Sequence, residues 1–192
     1  VVELADAPGI ELLAIREGGP FEPHTEEAPG AHEEHRADES ELDMHFWLEP
    51  GNAKLMIDAI AAAVSQAAPD NSAAYSANAE AAKADLDRLA AEIETSTAGI
   101  RSTPFIVFHD AYQYFERRFG LDVAGSITVT PDGMPGAQRI GELREKIRQV
   151  GARCVFAEPQ FQPAIVAAII EGTGARAGEL DPEGANLPEG PG

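Results

Sequence analysis

After Pro104 the chain runs through four apolar residues, Phe105-Ile106-Val107-Phe108. It turns polar at His109-Asp110 and resumes as Ala111-Tyr112-Gln113-Tyr114-Phe115. A short, wholly apolar run predicts a strand buried on both faces. Ala111, Tyr112 and Phe115 fall at helical spacing and predict a helix behind it. His109 therefore stands where a buried strand hands over to a helix, at the carboxyl end where open α/β sheets bind ligands.

The same alternation continues downstream. Leu121 to Val129 reads as a strand and Thr130 to Gly136 as a loop rich in breakers. Ala137 to Val150 has Ile140, Leu143, Ile147 and Val150 on one helical face, with Gly151 as C-cap. Ala152 to Ala157 is a second apolar strand closed by Glu158-Pro159. Pro163 opens a helix stopped by Gly172, and Ala175 to Leu180 is a last strand closed by Asp181-Pro182. Alternating strands and helices imply a mostly parallel sheet, so the polar residues ending three strands, His109, Glu158 and Asp181, share one edge.

Upstream, Ile10 to Ile15 is a candidate strand, and Lys54 to Ala67, behind Pro50, reads as a helix apolar almost all round and therefore buried. Tyr75, Ala79, Ala82, Leu86, Leu89, Ile93 and Ile100 give the clearest 3.6-residue period, opposite a face of Glu80, Lys83, Asp87, Arg88, Glu92 and Glu94. A helix over 72–97 extends roughly 39 Å at 1.5 Å per residue, long enough to join two lobes. A hairpin arm is the other reading.

Residues 21–41 break the pattern. Aliphatic residues vanish, and His24, His32 and His35 lie among Glu22, Glu26, Glu27, Glu33, Glu34 and Asp38. Such a tract gathers transition metals loosely or serves as a solvated linker. The formal charge of −19 over 192 residues argues against nucleic acid and anionic membrane surfaces as partners and suits either cation binding or a plain acidic solvated surface. The one cysteine, Cys154, falls in an apolar run and reads as a buried thiol. Trp47 and Tyr112 read as packing residues.

The candidate chemistry is metal binding. Imidazole and carboxylate suit zinc, and His45, in Asp43-Met44-His45-Phe46-Trp47-Leu48-Glu49-Pro50, with His109 and Asp181 would supply three ligands. The 64-residue gap between the histidines is no local motif, so ligand and hydrogen-bonded core histidine both stand as readings of the bare residues. No GxGxxG, Walker A or GxSxG motif is present.

These motifs, with Phe108-His109-Asp110-Ala111-Tyr112-Gln113-Tyr114-Phe115, Pro135-Gly136-Ala137-Gln138-Arg139, Cys154-Val155-Phe156-Ala157-Glu158-Pro159-Gln160-Phe161 and Leu180-Asp181-Pro182-Glu183-Gly184, occur in one order along the chain. Together they resemble the periplasmic zinc-binding receptors of bacterial ABC importers, the ZnuA-type branch of the metal-binding solute receptors. The resemblance implies a two-lobed α/β fold with a long rigid helix between the lobes and the metal in the cleft. Residues 1–71 would be the end of the N-terminal lobe, 72–100 the linking helix and 101–192 the C-terminal lobe, a mostly parallel sheet flanked by helices. It carries His45 and His109 over as zinc ligands. Manganese-binding relatives have Glu at the position of His109 and a ligand Asp at that of Asp181.

It also makes the 21–41 segment a mobile flap that gathers zinc through His24, His32 and His35. Zinc is then the transported ligand, the partner is the membrane permease of an ABC zinc importer, and the protein is a periplasmic monomer without enzymatic activity. A receptor for another divalent metal such as manganese, a zinc-dependent hydrolase and a surface adhesin are the alternatives. The family's first ligand histidine precedes the position of Val1, and its partner for the Cys154 cysteine follows that of Gly192. The chain is therefore expected to be a fragment with an incomplete zinc site.

Overall fold

A computed structural model describes residues 1–16, 21, 42–128, 136–160 and 163–188. Its contacts divide the chain into two compact units. The first comprises Val1–Ala14, Glu41–Ile100 and Tyr112–Gly120; the second comprises Ile15–Ser40, Arg101–Ala111 and Leu121–Gly192.

In the first unit, β1 (Leu13–Ala14) pairs antiparallel with β2 (Leu42–Asp43), so that Leu13 faces Asp43. The run expected to be a strand over Ile10–Ile15 pairs only at these two residues. A 3-10 turn over Phe46–Leu48 then leads into helix α1 (Pro50–Ala67). Pro50 sits in its first turn, where no N–H is needed, and the Glu49 side chain accepts the Asn52 N–H at 2.7 Å. Helix α2 (Ser72–Thr97) packs on α1, and the short α3 (Gln113–Phe119) ends at Gly120, whose φ of 65° is left-handed.

Two expectations for these helices change. Of α1 only Pro50 is buried; its other side chains are half-buried or exposed, because within this unit the helix packs mainly on α2 and the Phe46–Leu48 turn. On α2 the covered stripe is Tyr75, Ala79, Ala82, Leu86, Ala90 and Ile93, whereas Leu89 is exposed. Small Ala79 and Ala90 are the positions buried, and Lys54–Asp87 at 2.6 Å and Lys83–Asp58 at 2.7 Å tie the two helices beside them. The Asp58 carboxylate, with Glu80, raises the pKa of Lys83.

The second unit is a four-stranded parallel sheet in the order β4-β3-β5-β6. Its strands are β3 (Phe105–His109), β4 (Val123–Thr128), β5 (Cys154–Ala157) and β6 (Arg176–Glu179), with helices α4 (Ala137–Val150) and α5 (Pro163–Ile170) between the later ones. The core joins Ile106 and Phe108 of β3, Ile127 of β4 and Val155 of β5 to Leu143 and Ile147 of α4 and Val166 and Ile169 of α5. Ile106, Val107 and Phe108 are all buried, as a strand covered on both faces requires. Cys154 is only half-buried, because β5 begins there.

From β3 the chain steps outward to β4; from β5 it steps outward in the other direction to β6. The carboxyl ends of β3 and β5 therefore form the topological switch point, the ligand crevice of open α/β sheets.

Candidate metal centre

His109 is the last residue of β3, and Glu158 follows the last residue of β5, so neighbouring parallel strands bring the two together at the switch point. The His109 Nδ1 lies 2.7 and 2.8 Å from the two oxygens of Glu158, and the backbone N–H of His109 points to the same carboxylate at 3.4 Å. His109 is 6% exposed and Glu158 3%. A buried carboxylate needs compensating donors, and here the imidazole supplies the shortest of them. With the proton on Nδ1, the lone pair of the neutral ring lies on Nε2.

In the first unit His45 has the same partnership. Its Nδ1 lies 2.7 Å from Asp43 Oδ1, and its backbone N–H donates to that oxygen at 3.0 Å. Asp43 is 4% exposed. Its other oxygen accepts from Gln113 Nε2 at 3.2 Å, and Gln113 also donates to the Ala14 carbonyl. The Tyr114 hydroxyl accepts the Leu13 N–H and donates to the Asp43 carbonyl, both at 2.7 Å. Burial raises the pKa of that phenol, so it remains a donor at neutral pH. Gln113 and Tyr114 open α3 and thereby tie it to β1 and β2. The His45 ring also stands 5.3 Å from that of Trp47, which is partly exposed and packs here rather than in a core.

Each pair sets an imidazole against a buried carboxyl group. That combination suits a dication of borderline softness such as zinc.

Asp181 follows β6 on the same edge of the sheet. Its two oxygens accept the N–H groups of Ala185 at 2.9 Å and Asn186 at 2.8 Å. These bonds, that of Asn186 foremost, hold its carboxyl below the ordinary 3.8. A carboxylate oxygen has two lone pairs, so this turn leaves acceptor capacity toward a cation. His45 belongs to the first unit, and His109 and Asp181 belong to the second. Among the described residues no three of His, Cys, Asp and Glu cluster as a complete metal shell. His24, His32 and His35 lie outside the described residues.

Next to His109, the buried Asp110 forms a two-pronged ion pair with Arg16, whose guanidinium also lies 4.1 Å over the Phe21 ring. Neither the role of Asp43 beside His45 nor this ion pair was expected from the sequence, where Glu158 stood as a strand-ending acid and, in the hydrolase alternative, as a general base beside a metal-bound water. The available signals were an acid two residues before His45 and an acid closing an apolar strand.

The family described as ZnuA, zinc-uptake complex component A periplasmic, matches residues 2–192. The chain is 45% identical over 212 residues to the high-affinity zinc uptake system protein ZnuA of Brucella abortus strain 2308, covering 100% of this chain and 64% of that one. It thus spans under two thirds of the length of that relative. A zinc-bound deletion mutant of ZnuA superposes with a TM-score of 0.63 at 33% identity, over 73% of this chain and 54% of that one. A mutant of the laminin-binding adhesin of Streptococcus agalactiae shares the fold, with a TM-score of 0.75 at 24% identity, over 97% and 62% of the two chains. With the motifs in order, the parallel sheet carrying His109 at its switch point, and a family match from residue 2 to residue 192, the chain belongs to the ZnuA family.

Proposed function

We propose that the chain belongs to a periplasmic receptor that captures zinc and delivers it to the membrane permease of an ABC importer. Its ligands are His45, His109 and Asp181, and zinc is cargo, so no bond is made or broken. The observation that carries this reading is the pair of imidazoles, each with Nδ1 at 2.7 Å from a buried carboxylate. Relatives named as zinc uptake proteins and a zinc-bound neighbour support it. Two imidazoles favour zinc over manganese, which prefers carboxylate, carbonyl and water. The segment 72–100 serves as the linking helix, the His24, His32 and His35 tract gathers zinc, and the receptor works as a monomer.

Titration of zinc against a competing chelator tests the reading, with manganese as the comparison metal. One site that prefers zinc, and that weakens in both His45→Ala and His109→Ala, is expected. Zinc binding unchanged in both variants overturns the ligand assignment, and a preference for manganese overturns the cargo.

A further inference from the structure

We propose that Asp43 and Glu158 are the positioning residues of this site, each fixing one histidine in the Nδ1–H tautomer so that Nε2 meets the metal. The proposal rests on the zinc-receptor reading for the identity of the ligands, but its structural content stands apart from it.

Three observations carry it. Both carboxylates are almost fully buried, and both take their shortest ring contact at Nδ1. Each also accepts the backbone N–H of the histidine it holds, at 3.0 Å for Asp43 and 3.4 Å for Glu158, so ring and main chain are fixed by one acceptor. Each carboxylate is itself fixed. Glu158 is placed by the pairing of β5 with β3. Asp43 is placed by its register opposite Leu13, by Gln113 on its second oxygen and by Tyr114 on its carbonyl.

The stretch that ends β3 thus does two jobs. It provides His109, and four and five residues later it provides the side chains that brace the acid holding His45. An imidazole free to rotate or change tautomer would lose that preorganisation on binding an ion. A carboxylate on Nδ1 removes the alternative and raises the basicity of Nε2.

The test uses the zinc-free full chain labelled with 15N-histidine. Long-range 1H–15N spectra report which ring nitrogen carries the proton, with His45→Ala and His109→Ala assigning the signals. Both histidines are expected as Nδ1–H. Glu158→Ala should release His109 alone into a mixture of tautomers, and Asp43→Ala should release His45 alone. Glu158→Gln keeps an acceptor and should keep the tautomer.

In zinc titrations the two Ala variants should bind roughly 10–100-fold more weakly, and Glu158→Gln should recover most of the loss. Either histidine protonated at Nε2 in the wild-type chain overturns the proposal. So does an Ala variant with unchanged tautomer and unchanged affinity. Should an Ala variant fail to fold, the wild-type and Glu158→Gln spectra decide. Absence of zinc binding by the wild-type chain would remove the receptor reading, while the metal-free spectra would still decide the positioning role.

Discussion

Glu158 holds His109 with both of its oxygens, at 2.7 and 2.8 Å from Nδ1, across the boundary between two parallel strands that lie 45 residues apart in the chain. The contact exists because β3 and β5 are hydrogen-bonded neighbours, with His109 ending β3 and Glu158 directly following β5 at the same edge. The pair is buried, so its geometry is set by the sheet rather than by a loop. That precision is what a metal ligand requires.

On the proposed zinc reading His109→Ala removes a ligand, whereas His32→Ala removes one of several histidines in an acidic tract. The first should weaken zinc binding by more than the roughly 10–100-fold of an outer partner, and the second by far less. Competition titration of the two variants side by side measures the difference; equal losses would remove His109 from the site.

Tyr114→Phe deletes the hydroxyl that joins the Leu13 N–H to the Asp43 carbonyl, leaving a buried donor and acceptor without that bridge. It should cost about 1–3 kcal/mol in urea unfolding. Because Asp43 loses a brace, zinc affinity should fall as well, and a variant with wild-type stability would show that the bridge is dispensable.

Gly178→Ala places a Cβ 2.6 Å from the Phe156 ring, which stands edge-on to Phe105 at a centroid distance of 5.5 Å. The ring must move or β6 must shift away from β5. Overpacking of this kind should destabilise by about 1–3 kcal/mol, read as a lower denaturant midpoint with an unchanged slope.

The Asp181 carboxyl is held below its ordinary 3.8 by the N–H groups of Asn186 and Ala185. A depressed carboxyl stabilises the fold above its unfolded pKa and loses that contribution as pH falls through the folded value. The turn over residues 181–186 should therefore be intact at neutral pH and loosen only below 3.8. Amide exchange of Ala185 and Asn186 followed down in pH reads this directly, and Asp181→Asn should abolish the dependence.

Replacing residues 22–40 with a short Gly-Ser linker should leave the melting temperature unchanged, because the segment has almost no apolar side chain to bury. A large drop would show that it contributes to the core.

Much of the fold lies on the surface of the sequence. The apolar run Phe105–Phe108 predicts a strand covered on both faces, and the alternation from Leu121 onward predicts a mostly parallel sheet with helices, as the structure has them. Periodicity also placed α2 and α4, since a helix repeats every 3.6 residues whatever it packs against. It erred at Leu89 and over most of α1, because burial depends on the neighbour a face meets, and no single-chain period contains that neighbour. His45, His109 and Asp181 were legible as candidates from residue type and position at element ends. Which carboxylate meets each imidazole at Nδ1 was not, since Asp43 and Glu158 are placed by strand pairing and, for Asp43, by Gln113 and Tyr114, 70 and 71 residues away. Local sequence sets what an element is; the hydrogen-bond partners of a buried polar group are set by whatever the rest of the chain brings beside it.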